Sequence, residues 1–344
     1  MKLVVVGGGP VGLYSAIAAQ LAGMDVTVVE QREGVVDKAC GEGLMPAALG
    51  ALHEIGVDPV GVEFGGIRYL DARGRRQVRA PLAGAPGRGV RRTVLMAALQ
   101  ARAGTVGVNV IHDRCIAIDQ DAIRVRLSLA DGGETYADVV LGCDGLTSGV
   151  RRAVGLDRAT TGPVRYGLRQ HFAVQPWSDD VEVYWAKRAE AYVTPVADEL
   201  VGVALLGERG GTFSDRLADF PALVARVGGA QPAGATLGAG PLRRRAAHPS
   251  RGRVLLVGDA AGYVDALTGE GLAIGFLGAR AAVAAAATGS LDRYPADWSR
   301  ITRRFRWSTE ALLQVTQRPG PRSALLPLAQ RMPTVFARAV NTLT

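Results

Sequence analysis

Cysteine is scarce in this 344-residue chain: Cys40, Cys115 and Cys143 are the only three. An odd, scattered set gives no disulfide framework and fits a reducing compartment. Neither a C-x-x-C pair nor a His/Cys cluster occurs, so no metal site is expected. No apolar run reaches the roughly 18–20 uncharged residues of a membrane span. The first residues read as a strand rather than a signal peptide, with no basic stretch and no small-residue cleavage site, and a cytoplasmic protein is expected. Lysine is confined to Lys2, Lys38 and Lys187, and arginine carries the net charge to +8. No basic run is interleaved with aromatics, which argues against nucleic-acid binding. There is no internal repeat. What remains is a chain of ordinary hydrophobic content, 48%, long enough to bury a substantial core in one large domain or two.

The first thirty residues carry a pattern. Leu3-Val4-Val5-Val6 is a continuous apolar run, as in a strand buried on both faces. It enters Gly7-Gly8-Gly9-Pro10-Val11-Gly12, a G-x-G-x-x-G, followed by an alanine-rich stretch from Leu13 to Leu21 and by Gly23, a helix stop. A second apolar run, Val26 to Val29, ends in Glu30, 18 positions past Gly12. About 20 is the spacing of a ribose ligand in a dinucleotide-binding strand–turn–helix–strand unit. Gly7 permits the tight turn, Gly9 lets backbone approach a pyrophosphate, and Gly12 lets helix and strand pack closely. The helix N-terminus offers free N–H groups to phosphate, and Glu30 can accept from ribose hydroxyls. A glycine turn alone would be a weak signal; the full context makes it a dinucleotide site.

The far end completes it. Val254 to Val257 reads as another buried strand, closed by Gly258-Asp259-Ala260-Ala261-Gly262. A second turn, Gly269-Glu270-Gly271-Leu272, opens an apolar helix to about residue 287. These residues resemble flavoproteins of the para-hydroxybenzoate hydroxylase fold, whose GD motif binds the ribityl chain of FAD. The form GDAAGYVDALTGEGL is similar to the geranylgeranyl reductase and halogenase branch. Asp144-Gly145, followed by Ser148 and Arg151, resembles that family's DG motif, which touches FAD and the visiting nicotinamide cofactor. The resemblance covers about residues 1–290.

It implies an α/β fold: a Rossmann-like FAD-binding domain of the glutathione reductase type, with an inserted antiparallel β-sheet substrate domain and a C-terminal helical segment. Residues 1–62, 89–162 and 241–290 fall to the first, 63–88 and 163–240 to the second, and 291–344 to the third. Within the first, Gln31 and Arg32 follow Glu30 toward the adenine. Cys40-Gly41-Glu42-Gly43-Leu44 resembles a stretch that runs beside the flavin in the reductases, against the plainer reading of a loop before a helix over 47–55. Arg92, three residues before Leu95, fits the family's FAD-contacting arginine, with Arg91 competing. Residues 108–127 read as short strands of a small accessory sheet. In the inserted domain, Ile67–Asp71 and Arg76–Ala80 read as a hairpin, and Phe213 to Val227 as one helix. Strand 165–174 alternates Arg165, Gly167, Arg169 and His171 against Tyr166, Leu168, Gln170 and Phe172. Arg169, His171 and Tyr184 are the candidate catalytic residues; for each, structural packing is the competing reading, and which face meets the active site stays open.

The resemblance implies FAD, with NADPH or NADH as a transient reductant and a separate flavin reductase as the other source of reduced flavin. With no second G-x-G-x-x-G, the reductant has no Rossmann site of its own. Two reactions fit. One is monooxygenation of an apolar aromatic or terpenoid through a flavin C4a-hydroperoxide; the other is saturation of isoprenoid double bonds. An electron carrier without a substrate would need no insert as long as 163–240. The arginine-rich C-terminal helices would cap the substrate cavity, with packing preferred over peripheral membrane contact.

Overall fold

The computed structural model describes residues 1–343; the last residue of the C-terminal segment, Thr344, lies outside the described residues. The first layer is a six-stranded sheet in the order Ser250–Arg251, Val254–Leu256, Val139–Gly142, Lys2–Val6, Asp25–Val29 and Asn109–Ile111. All neighbours in it are parallel except the Ser250–Arg251 edge. Its central strands are apolar without alternation because both faces are covered, one by helices and the other by the accessory sheet, whose Val125, Leu127, Leu129 and Ala137 belong to the same core. Helices Pro10–Leu21, Arg92–Thr105 and Gly271–Ala287 supply alanine-rich surfaces for that cover. Tyr14 stacks on Phe276 at 4.7 Å between ring centroids, joining the first and last of them. Asn109–Ile111 corrects the expectation for residues 108–127: this strand is the edge of the parallel sheet, and only Cys115–Gln120 and Val125–Leu129 join Glu134–Ala137 in the accessory sheet. A strand of three residues has no hairpin partner nearby in sequence, and the open edge beside Asp25–Val29 takes it.

The second layer is a larger sheet. Strands Tyr166–Ala173, Leu200–Gly207, Glu190–Ala197 and Val181–Trp185 are antiparallel in that order, and the hairpin Gly66–Asp71/Gln77–Pro81 continues it through a parallel pairing with Val181–Trp185. One face buries Phe172, Tyr184, Ala191, Val193 and Val203 beneath Phe213, Phe220 and Leu223. The other face looks toward the parallel sheet. The single helix expected over Phe213–Val227 is two, Phe213–Leu217 and Pro221–Val227. Pro221 cannot donate into a continuing helix and starts the second one instead. Thr212 and Asp215 close a capping box on the first.

Helices Tyr294–Thr316, Pro319–Arg331 and Pro333–Leu343 form the C-terminal segment. They pack on the hairpin, where Phe336 meets Tyr69 edge to face at 5.0 Å. Arg322 pins them. It donates to the carbonyls of Ala186 (2.7 Å), Ala189 (2.8 Å) and Thr316 (3.0 Å), and lies 2.7 Å from the fully buried carboxylate of Glu190.

Candidate active site

Between the two sheets lies a cavity of about 980 Å³, at the upper end of small-molecule sites. Gly7, Gly9, Glu30, Gln31, Arg32, Cys40, Gly41, Arg92, Asp144, Gly145, Asp259, Gly269, Gly271 and Leu272 all line it. Gly258 does not; it is the positive-φ turn (φ 61°) that brings Asp259 to the wall.

Each wall has a local cause. Gly7 has φ 105°, and a Cβ there would strike the Cys143 carbonyl at 2.7 Å. A Cβ on Gly12 would fall on the Gly7 carbonyl oxygen, far inside van der Waals contact. Gly9 is different: its nearest neighbour for a Cβ is an Arg92 Nη, 4.0 Å away, so this backbone opens into the cavity. Helix Pro10–Leu21 begins there with no side-chain cap, and helix Gly271–Ala287 also begins uncapped at the cavity wall. Two unsatisfied helix N-termini face one space. Glu30 spends one oxygen on the Gly8 N–H (2.7 Å) and the other on the Arg32 N–H (3.0 Å), so the carboxylate is held at the wall by the glycine turn itself.

The DG and GD segments are joined by one buried arginine. Arg151 donates to the carbonyls of Leu146 (3.0 Å) and Ala260 (2.9 Å) and to Asp157 (2.6 Å). Ser148 accepts from the Arg151 N–H, and Asp144 accepts from the Val150 N–H, both at 2.9 Å. The second Asp144 oxygen is buried with no hydrogen-bond partner among the described residues, as is Arg92 Nε. Burial pushes the Asp259 carboxyl up, against the pull of Lys38, Arg92 and Arg151.

An open glycine backbone, two uncapped helix ends, an orphaned carboxylate oxygen and an unpartnered guanidinium N–H fit a dinucleotide. The helix at Gly9 and Arg92 would hold its pyrophosphate, Glu30 its ribose and Asp259 its polyol chain. Lys38, Thr147, Arg152 and the run Asp113–Ile118 also line the cavity. Sequence reasoning missed them. Asp113–Ile118 gave no signal, because it reaches the wall only by following the edge strand Asn109–Ile111.

The remaining wall belongs to the large sheet. Ile67, Val181, Val183 and Leu206 make it apolar, with Tyr69 and Tyr192 among them, and Met45, Phe64 and Tyr263 flank it from neighbouring segments. The face left open by sequence is thereby assigned: Gly167 and Arg169 face the cavity on one strand, Tyr192 and Thr194 on another. Tyr184 is on the opposite face, which corrects its candidacy. Its hydroxyl donates to Glu182 (2.7 Å) beneath the helices, because neighbours Val183 and Trp185 take the cavity side of the pleat. His171 shares Arg169's face but does not line the cavity; it is enclosed between Arg169 and Glu42. Arg169 reaches the wall with two of its nitrogens already bonded. Tyr192 donates to the Leu267 carbonyl (2.9 Å), fastening the flavin-side loop to the sheet.

Comparison with known proteins agrees with this geometry. The model of the FAD binding domain family matches residues 1–222. Digeranylgeranylglycerophospholipid reductase 1 of Methanothermobacter thermautotrophicus is 28% identical over 318 residues, 85% of this chain and 79% of that protein. Menaquinone reductase of Mycobacterium tuberculosis is 32% identical over 161 residues, 44% of this chain and 40% of that protein. Among solved structures, p-nitrophenol 4-monooxygenase PnpA from Pseudomonas putida DLL-E4 shares the fold, with a TM-score of 0.80 at 20% identity over 98% of each chain. Among the described residues no helix is long and apolar enough to cross a membrane, and no group of His, Cys, Asp and Glu could hold a metal ion. The chain belongs to the FAD binding domain family and is an FAD-dependent oxidoreductase.

Proposed function

We propose that the protein is a monooxygenase that inserts one oxygen atom into an apolar aromatic or terpenoid molecule, with NADPH or NADH as reductant. The observation that carries this reading is the substrate half of the cavity. Its wall is largely apolar and aromatic, and its polar groups are the hydroxyls of Tyr69, Tyr263 and Thr268 beside Tyr192, Thr194 and Arg169, which are already hydrogen-bonded within the protein. Burial pushes all three tyrosines up, so they stay neutral donors. Such a wall excludes water and orients a ring without needing an acid–base pair. Reduced FAD supplies the activation of O2; the chain binds, orients and shields. The balance is substrate C–H plus O2, NAD(P)H and a proton giving C–OH, water and NAD(P)+. The test is NADPH oxidation by the purified protein against a panel of alkyl-substituted phenols. A phenol that accelerates oxidation in air, with hydroxylated product formed one per NADPH, is the expected outcome. Acceleration that yields only hydrogen peroxide with every phenol defeats the proposal.

A second reading rests on relatedness. A protein named as a lipid reductase aligns with most of this chain, and the same apolar wall would take an isoprenoid. It requires that the reduced protein, held without oxygen, be reoxidised by a polyprenyl alkene.

A further inference from the structure

The buried side chains Glu42, His171 and Arg169 take no part in the cofactor contacts above, yet they join the cavity's two walls. Their relative exposures are 3%, 0% and 2%. Glu42 is the one non-glycine with positive φ (60°) among the described residues. That conformation is costly for a residue with a Cβ and persists where surroundings over-determine it. The surroundings here are explicit. One Glu42 oxygen accepts from the Arg92 N–H at 2.9 Å, at the start of the helix whose arginine faces Gly9. The other is 2.6 Å from His171 Nε2, 129 residues away in sequence. Arg169 Nη1 donates to His171 Nδ1 at 2.8 Å, and Arg169 Nη2 to Asp37 at 2.5 Å. Thr194 donates to the Gly41 carbonyl at 2.8 Å, and the Val90 N–H to the Glu42 carbonyl at 2.8 Å. Gly202 leaves room: a Cβ there would stand 2.7 Å from the Glu42 carboxylate. The strip Lys38–Gly43, every residue of which lines the cavity, is therefore tied at both ends to the substrate sheet.

We infer that Glu42, His171 and Arg169 are positioning residues for the flavin reaction, a buried chain that fixes the Lys38–Gly43 strip, and through it the ring of the cofactor, relative to the substrate sheet. An arginine can only donate, so His171 Nδ1 accepts and its proton lies on Nε2, aimed at Glu42. The tautomer is assigned from these partners. Removing the imidazole leaves a carboxylate oxygen and a guanidinium N–H unpaired in a dry site, and the strip shifts to find partners. The pyrophosphate and ribityl contacts at Gly9 and Asp259 lie elsewhere, and the Glu42 oxygen that accepts from the Arg92 N–H is not the one facing His171, so these contacts stay.

The test uses the full chain. The four histidines, labelled with 15N, report their tautomers by NMR; His171 is expected with Nε2 protonated and Nδ1 bare, and the reverse tautomer or a doubly protonated ring at neutral pH overturns the chain. His171→Phe should still bind FAD within a few-fold of the parent. Its flavin absorption and fluorescence should change, and NADPH-driven reduction should slow about 10-fold or more, as small misplacements do. His171→Gln, which keeps a donor and an acceptor, should recover part of that rate. Loss of FAD in step with thermal stability in both variants would mark a structural role only. An unaltered flavin spectrum and rate in His171→Phe would refute positioning.

Discussion

Gly9→Ala separates the cofactor claim from the stability of the fold. Gly9 has φ −71° and ψ −179°, which alanine adopts without strain, and its Cβ would meet nothing closer than 4.0 Å. The apoprotein should therefore keep its stability within about 1 kcal/mol, with a small gain from the stiffer unfolded chain. That Cβ points into the space a pyrophosphate needs for close backbone approach. In the parent, FAD at about 100 times its dissociation constant adds about 2.7 kcal/mol to stability, and the variant should lose this increment. The assay is thermal unfolding of apoprotein with and without FAD, alongside fluorescence titration. Gly12→Ala is the contrast: its Cβ lands on the Gly7 carbonyl, backbone against backbone, so it should destabilise the apoprotein itself by about 3 kcal/mol or more. Were Gly9→Ala to bind FAD as tightly as the parent, the assignment of this turn to the pyrophosphate would be wrong.

Three further outcomes follow from the same geometry. Asp259→Ala should fold and emerge colourless, because its carboxylate faces the cavity wall; absorbance of the purified variant decides, and full flavin occupancy would remove Asp259 from the site. Burial raises the Glu270 carboxyl from its ordinary 4.5 to about 8. The folded chain then holds a proton that the unfolded chain releases, so this group's contribution is intact below about pH 4.5 and is lost as pH rises through about 8. Glu270→Gln should match the parent's Tm near pH 4 and exceed it increasingly toward pH 8; a constant difference across that range contradicts the linkage. Arg322→Leu should cost about 3–5 kcal/mol in urea unfolding, since it leaves three carbonyls and one oxygen of the buried Glu190 carboxylate, whose other oxygen keeps Arg165, without their donor. A loss under about 1 kcal/mol would mean the C-terminal helices are held by packing alone.

Local chemistry was legible in the sequence, and long-range pairing was not. Gly7, Gly9 and Gly12 announce their roles because each answers a backbone demand within a few residues. Asp259 and Asp144 could be placed because the strands before them are buried runs ending in glycine turns. His171 shows the limit. Alternation put it on the same face as Arg169, but whether it met substrate or protein depended on Glu42, in a different layer of the fold. Tyr184 failed for a related reason: a tyrosine between Val183 and Trp185 reads equally well on either face until the helices over Phe172 declare which face is covered. The left-handed Glu42 had no sequence signal, since only glycine advertises positive φ.

The reaction itself is best tested with isotopic oxygen. Purified protein, NADPH and an accelerating alkylphenol under 18O2 should give a product carrying one 18O atom, with the label absent when 16O2 and labelled water are used instead. A product labelled from water, or an isoprenoid gaining two hydrogens in the absence of oxygen with no oxygenated product in air, would contradict monooxygenation.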